Sequence, residues 1–341
     1  MNRLMKAAIA TSFGRPLVLS DIPVPTVGPG ELLVKVAACG VCHTDVHAVD
    51  GDWPVKPELP FIPGHEVVGH VAALGQGVTK FKEGDVVGVA WLHDTCGACE
   101  PCLTGWETLC ASQHNTGYSV DGGYAEYVVA DADYAVRIPG ALDLIAAAPI
   151  LCAGVTTYKG IKETDTKPGD WLAISGIGGL GHIAVQYAKA MGRHVIAIDV
   201  SEDKLALARK LGADMALNAS QPDLVDEVSR ATGGVHAALV TAVSAPAFAQ
   251  CLALLRPKGT MSLVGLPPGS FPLPIFEVVL KRLTVRGSIV GTRQDLAESL
   301  AFAAEGSVHA QVETRALEQI NSTLAELKAG TVQGRVVLSI G

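Results

Sequence analysis

The sequence holds no block of lysine and arginine. Acidic residues outnumber basic ones, 34 to 26, for a formal net charge of -8 and a pI near 5.7. A nucleic-acid surface needs a basic stripe to neutralise phosphates, so that class of function is excluded. Charge is scarce altogether, at 18% of residues against 49% hydrophobic ones, which supplies the apolar material for a large core. Long apolar runs are nevertheless missing. No stretch of about 18 uninterrupted apolar residues occurs, so no membrane span is expected. Met1 to Ala10 lacks an apolar run ahead of a small-residue cleavage site, so a cytoplasmic, reducing compartment is expected. Internal repeats and low-complexity linkers are absent as well. At 341 residues the chain is too long for one ordinary core, and two domains are expected.

Eight cysteines remain to be explained, and in a reducing compartment they are thiols or metal ligands. Four of them, Cys96, Cys99, Cys102 and Cys110, follow the spacing C-x2-C-x2-C-x7-C. Four thiolates so close together close a tetrahedral shell around one zinc ion and leave no open position for chemistry. An iron–sulfur cluster is the competing reading of the C-x2-C-x2-C run, but no C-x3-C-P completes it.

Residues 1 to about 149 are rich in glycine, proline and short apolar runs such as Leu32–Val36 and Val86–Val89, the style of a mostly-β domain. Near Ala146–Pro149 the style changes to short apolar strands alternating with helical patterns. Strands are expected at Trp171–Ser175, His194–Asp199, Asp214–Leu217, Ala237–Thr241 and Thr260–Val264, with helices at Gly181–Met191 and Glu202–Leu211. Strict alternation implies right-handed βαβ units and a parallel sheet. Past about residue 290 the pattern returns to mixed helix and strand. The expected fold is therefore α/β: a mostly-β catalytic domain from 1–149 and 290–341, with a doubly wound parallel-sheet coenzyme domain, 150–289, inserted in it.

The first expected strand of that second domain runs into Gly176-Ile177-Gly178-Gly179-Leu180-Gly181, a G-x-G-x-x-G loop that opens a helix. Asp199 ends the next strand. This is the context a dinucleotide fingerprint requires. Gly176 allows the tight turn, Gly178 the close approach of a pyrophosphate to the helix N-terminus, and Gly181 the packing of helix on strand. Gly179 and Leu180 complete the loop's backbone. Asp199 accepts hydrogen bonds from an adenosine ribose and repels a 2'-phosphate, which favours NAD over NADP. Lys204 either reaches the same ribose or is a solvated helix lysine. Val264, closing its strand, is assigned to the coenzyme site too.

Together these segments resemble the zinc-containing medium-chain alcohol dehydrogenases, most closely the tetrameric ethanol-type enzymes of yeasts and bacteria. The resemblance rests on Cys42-His43-Thr44-Asp45-Val46-His47, Gly51-Asp52-Trp53-Pro54, Gly64-His65-Glu66, the cysteine tetrad, Ala148–Gly154 and the glycine loop. It covers almost the whole chain, and it makes the first domain GroES-like and the second a Rossmann domain. It implies a second, catalytic zinc on Cys42, His65 and Cys152, the Cys2His set known from alcohol dehydrogenases. Spacing alone does not group these three. Glu66 matches a carboxylate that swings onto the metal, and Asp45 one that orients a ligand, His65. Thr44 matches the hydroxyl that bonds the substrate oxygen, and His47 the far end of a proton relay through the nicotinamide ribose. His43 and Arg335 match groups that contact the pyrophosphate. Trp53 and Trp91 match the lining of a narrow pocket suited to ethanol and other short primary alcohols. Cys39 and Cys251 match no ligand and read as buried thiols.

Two departures stand out. His182 follows the third glycine, where many members carry a smaller polar residue; it lies near the phosphates or caps the turn. His43 stands where other members have arginine, which implies a weaker, pH-sensitive hold on the pyrophosphate. The implied partners are an alcohol or aldehyde, NAD, two zinc ions and three further copies of the chain, with no nucleic acid or membrane. A polyol or other secondary-alcohol dehydrogenase and a non-catalytic zinc-stabilised NAD-binding module are the alternatives.

Overall fold

The computed structural model describes residues 3–341. The chain forms two compact units, one of Met1–Cys152, Thr292–Ala304 and Ala310–Gly341, the other of Ala153–Gly291 and Glu305–His309.

The first unit is built on a seven-stranded sheet. Its long central strand, Glu31–Val41, pairs antiparallel with Glu66–Leu74, Tyr127–Asp131 and Arg335–Ser339. Alternate residues of that strand, Leu32, Val34 and Val36, are almost wholly buried while Lys35 is exposed, the period-two pattern of a half-solvated sheet. The strand from the C-terminal end, Arg335–Ser339, pairs in register Val336 with Val41 and Ser339 with Ala38. This pairing sets Arg335 beside the segment that leads into Cys42. A small two-stranded sheet, Leu92–Asp94 with His114–Asn115, flanks the cysteine tetrad.

The second unit is a six-stranded sheet, every neighbouring pair parallel. Its order is Met215–Asn218, His194–Asp199, Trp171–Ser175, Val235–Val240, Leu255–Leu263, Thr284–Gly287. In chain order that is 3-2-1-4-5-6, the doubly wound arrangement whose switch point lies beside the first strand. Leu172 to Ile174 and Val195 to Ile198 are wholly buried. Helices cover both faces of such a sheet, so these strands read as unbroken apolar runs instead of alternating ones. Of the five expected strands, Trp171–Ser175 and His194–Asp199 appear with the expected bounds, the third and fourth are shifted by one or two residues, and the fifth begins five residues early, at Leu255. The sixth, Thr-Val-Arg-Gly, has no apolar run to announce it because it is a short, half-exposed edge strand.

The boundaries differ from the expected 149/150 and 289/290. Cys152 stays with the first unit because the short 3-10 turn before it, Ala148–Leu151, is buried there. Leu151 lies so close to Gly88 that a Cβ on that glycine would meet it at 2.8 Å. Residues 305–309 return to the second unit. Gln186 there holds His309 through both its backbone groups, accepting from N–H at 3.0 Å and donating to the carbonyl at 2.8 Å.

Candidate active site and coenzyme loop

Cys42 is the N-cap of the helix His43–Asp50. The reason is local: Asp45, three residues on, accepts the Cys42 backbone N–H at 2.8 Å. The helix N-terminus therefore directs its partial positive charge at the Cys42 sulfur. Asp45 also receives the Gly64 N–H at 3.2 Å and lies 3.0 Å from Nδ1 of His65. One carboxylate thus ties the helix start to the Pro63–Glu66 turn and fixes the imidazole so that Nε2 faces the sulfurs. Nε2 lies 3.3 Å from the Cys152 sulfur, which is 4.0 Å from the Cys42 sulfur.

The ligand atoms of Cys42, His65, Glu66 and Cys152 all fall within 4.8 Å of one another, and all four residues are buried. Zinc bound to sulfur at about 2.3 Å and to nitrogen at about 2.0–2.1 Å places neighbouring tetrahedral ligands roughly 3.5–3.8 Å apart. The donor set and its spacing fit that ion. The hydrogen bond from Cys152 favours Cys42 as thiolate and holds its pKa well below the usual thiol range, despite burial. Donating that bond, together with burial, pushes the Cys152 thiol well up.

Glu66 sits behind the cluster. Burial raises its pKa to about 7, against the lowering effect of Arg335. Arg335 is 3% exposed and donates to Glu66 Oε1. Its expected place is at a pyrophosphate; its observed partner is this buried carboxylate. The other oxygen, Oε2, is buried without a hydrogen-bond partner. Gly40 makes the room: a Cβ there would lie 1.8 Å from Oε2.

Trp91 meets the His65 ring edge-on, 5.3 Å between centroids. Trp53 stacks on His47 at 5.2 Å, and its indole meets Trp91 edge-on at 6.4 Å. Tyr118 packs against both indoles, at 5.7 and 5.5 Å. This third aromatic was not singled out in the sequence, and only its nearness to the tetrad in the chain hinted at it. His47 Nδ1 lies 3.0 Å from Asp52, also unforeseen. Thr44 and His47 are three residues apart on one helix and so share a face. His43, at the first helical position, is exposed.

In the tetrad, Cys96 and Cys102 lie 4.0 Å apart, Cys99 and Cys102 3.4 Å, and Cys110 and Cys96 3.6 Å. All four sulfurs form one group with the spacing of a closed zinc shell. Cys39 and Cys251 are wholly buried outside both groups, and burial pushes the Cys251 thiol up to about 12.

In the second unit Gly176 has φ +92°, and a Cβ on it would strike the Ala242 backbone at 2.7 Å. A Cβ on Gly181 would meet the Gly176 carbonyl at 1.8 Å, whereas one on Gly178 would meet nothing within 4 Å. Turn, helix packing and an open approach are thus distributed as the motif requires. Leu180 caps the helix Gly181–Ala190. Asp199 is 7% exposed and accepts N–H groups from Ile177 at 2.6 Å and Ser201 at 3.0 Å. It braces the loop as well as standing at the strand end. His182 is wholly buried with Nδ1 2.8 Å from the Gly178 carbonyl, a capping contact inside the loop. Lys204 is half-buried on the following helix, and Val264 follows the strand Leu255–Leu263.

Residues 28–140 match the family model of the alcohol dehydrogenase GroES-like domain, and 179–305 that of the zinc-binding dehydrogenase. An alcohol dehydrogenase of Rhizobium meliloti is 61% identical over 336 residues, 98% of this chain and 99% of its own. One from Moraxella sp. is 58% identical over 334 residues, 98% and 99% of the two chains. The solved alcohol dehydrogenase of the archaeon Aeropyrum pernix superposes with a TM-score of 0.89 at 36% identity, covering 98% of this chain and 99% of its own. Solved relatives of this fold hold NAD in one case and NADP in another. An open cluster of two sulfurs and an imidazole, a closed tetrad, a glycine loop on a doubly wound sheet and these likenesses agree: the chain belongs to the zinc-containing medium-chain alcohol dehydrogenase family.

Proposed function

We propose that the chain oxidises ethanol-like short primary alcohols with NAD+ and reduces the corresponding aldehydes with NADH. The observation that carries the reading is the buried quartet Cys42, His65, Glu66 and Cys152 with Trp91 against its imidazole. Cys42, His65 and Cys152 hold the catalytic zinc, with Glu66 as an occasional ligand, and the tetrad holds a structural one. Zinc supplies a charge that favours the ionised form of an alcohol hydroxyl, and NAD+ supplies the hydride acceptor.

The protein's own groups do the rest. Thr44 Oγ1 accepts a hydrogen bond from the substrate hydroxyl and, as that hydroxyl ionises, takes its proton while releasing its own into the relay that ends at His47. His47, one turn further and held by Asp52, passes a proton to water. Trp53 and Trp91 confine the carbon chain. Gly176 to Gly181, with Gly179 and Leu180 between, cradle the pyrophosphate on the helix N-terminus. His43 is the remaining candidate for a positive charge on it, since Arg335 is buried against Glu66. Asp199 and Lys204 hold the adenosine ribose, and Val264, at the carboxyl end of the strand Leu255–Leu263, lines the coenzyme site. The Asp199 carboxylate has two lone pairs beyond its two backbone bonds, and its charge opposes a 2'-phosphate.

The molecule works as a cytoplasmic homotetramer in this reading. Self-association is supported by the helix Ile275–Lys281, whose Ile275, Phe276, Val279 and Leu280 are each at least 68% exposed. Among the described residues no single helix is long and apolar enough to cross a membrane.

The test is NAD+ reduction with a panel of alcohols, before and after chelation, alongside a metal count. Expected are about two zinc ions per chain, ethanol among the best substrates, and loss of activity with the first zinc. Inactivity with every alcohol, or preference for NADP+, overturns the reading.

A further inference from the structure

A cavity of about 630 Å3 opens in the second unit. It lies at the amino ends of the parallel strands, where Asp170 precedes Trp171–Ser175, His236 is the second residue of Val235–Val240 and Thr284 begins its strand. Gly176 and Asp199 lie at the opposite, carboxyl ends, so the cavity is separate from the glycine loop. Its volume is that of a small-ligand site, in the range of about 300–1,000 Å3.

Four cations line it, Arg256, Lys258, Arg282 and Arg286, against two carboxylates, Asp165 and Asp170. The local balance is positive in a chain whose net charge is -8. Both carboxylates are already engaged. Asp165 pairs with Arg286 at 2.6 Å, and Asp170 faces His236 Nε2 at 3.2 Å. Among the described residues no carboxylate lies within ion-pair distance of Arg256, Lys258 or Arg282.

Arg256 has a sharper need. The Trp171 backbone N–H donates to His236 Nδ1 at 3.0 Å, which places the ring proton of the neutral imidazole on Nε2. Burial and Arg256 both hold the His236 pKa down, so the ring stays neutral despite Asp170. Arg256 Nη1 lies 2.8 Å from that same Nε2 and finds no lone pair there. A guanidinium N–H at the wall of the cavity is therefore free to meet water or an anion there.

The backbone points to the same place. Four described residues other than glycine have positive φ, and three of them line this cavity: Asp165 at 57°, Lys258 at 66° and Arg282 at 51°. Glycine is the default in the left-handed region. Arg282 enters it as the C-cap of Ile275–Lys281, its N–H reaching the Val279 carbonyl at 3.2 Å, whereas Lys258 closes no helix. Strain of this kind is retained where it positions a functional group.

We propose that this cavity binds a small phosphorylated metabolite, an anion of at least two charges, through Arg256, Lys258 and Arg282. The test uses the zinc-loaded protein saturated with NAD+, so that the glycine loop is filled. Inorganic phosphate and fructose 1,6-bisphosphate are titrated separately by calorimetry into the native protein and a Lys258→Gly/Arg282→Gly variant. The bisphosphate is expected to bind, and at least tenfold more weakly to the variant. The variant is also expected to melt at a higher temperature in anion-free buffer, because glycine relieves both strained positions. Arg256→Gln, which alters no strained position, is expected to weaken binding as well. Inorganic phosphate binding as tightly as the bisphosphate supports the anion site and assigns it to free phosphate. No binding of either probe, or equal affinity in the native protein and both variants, overturns the proposal.

Discussion

Asp45 holds His65 from behind: its Oδ1 lies 3.0 Å from the imidazole Nδ1, and both side chains are only 1% exposed. The same carboxylate caps the helix that carries Cys42. It therefore orients one proposed metal ligand and anchors the backbone of another. Asp45→Asn keeps one acceptor oxygen, enough for Gly64 N–H or Cys42 N–H but not both, and removes the charge behind the ring. Zinc affinity, measured by chelator competition, is expected to fall by about 10–100-fold, the usual cost of losing such support. An unchanged affinity would show that Asp45 serves the helix cap alone.

Trp53, proposed to confine the substrate, stacks on His47. Trp53→Leu is expected to raise kcat/KM for butan-1-ol relative to ethanol by about tenfold, within the roughly 1–3 kcal/mol that one methylene is worth in a pocket. The loss of ring support at His47 is expected to lower the absolute rate for both. If the ratio stays the same, Trp53 does not set the size limit.

Asp199 braces the glycine loop and is proposed to select the coenzyme, and substitution separates the two tasks. Asp199→Gly leaves the Ile177 and Ser201 N–H groups without their acceptor. A cost of about 1–3 kcal/mol in stability is expected for that loss, read from denaturant unfolding. Removing the charge opposed to a 2'-phosphate is expected to shift the kcat/KM ratio of NADP+ to NAD+ upward by at least about tenfold. A stability loss with no change in that ratio would leave Asp199 a purely structural brace.

Acid sensitivity is legible at Asp214. Burial raises its pKa, but the hydrogen bonds from Lys189 at 2.7 Å and the Val195 N–H at 2.7 Å outweigh this and lower it. A carboxylate with a lowered folded-state pKa stabilises fully above its unfolded value, about 3.9, and loses that contribution as pH falls through the folded one. The stability gap between the native protein and Asp214→Asn is expected to be constant above about pH 5 and to shrink below about pH 4. A gap independent of pH down to acid unfolding would remove Asp214 from the linkage.

The tetrad makes a different prediction from the catalytic cluster. Cys96→Ser is expected to remove one of the two proposed zinc ions and to lower the melting temperature. Residual activity per remaining folded molecule is expected to persist, since a closed shell offers no position to substrate. Complete inactivity of a variant that is still folded would place chemistry at the tetrad.

How much of this was open to a reader of the sequence depends on how far apart the cooperating residues lie. The tetrad spans fifteen positions, and the glycine loop with Asp199 spans one βαβ unit. Both are local, so spacing and strand–helix alternation were enough to place them. Arg335, by contrast, was expected at a pyrophosphate. Its pairing with Glu66 crosses 269 residues and depends on the strand Arg335–Ser339 docking beside Glu31–Val41. Gln186 drawing residues 305–309 back into the second unit is equally non-local. The edge strand Thr284–Gly287 left no apolar trace, because an edge buries too little.

By itself the sequence determined the α/β class, the doubly wound unit, the cysteine tetrad and the glycine loop. Each rests on periodicity or on neighbours along the chain. Only tertiary structure brought His65 to Cys152 across 87 residues and Cys42 to Cys152 across 110. It also turned Asp45 onto His65, seated Glu66 in the space left by Gly40 and set Tyr118 against the two indoles. The physical reason is that a metal shell is defined by distances of a few ångströms between side chains. Chain spacing carries such distances only within one turn or one helix; beyond that they follow from sheet register and core packing.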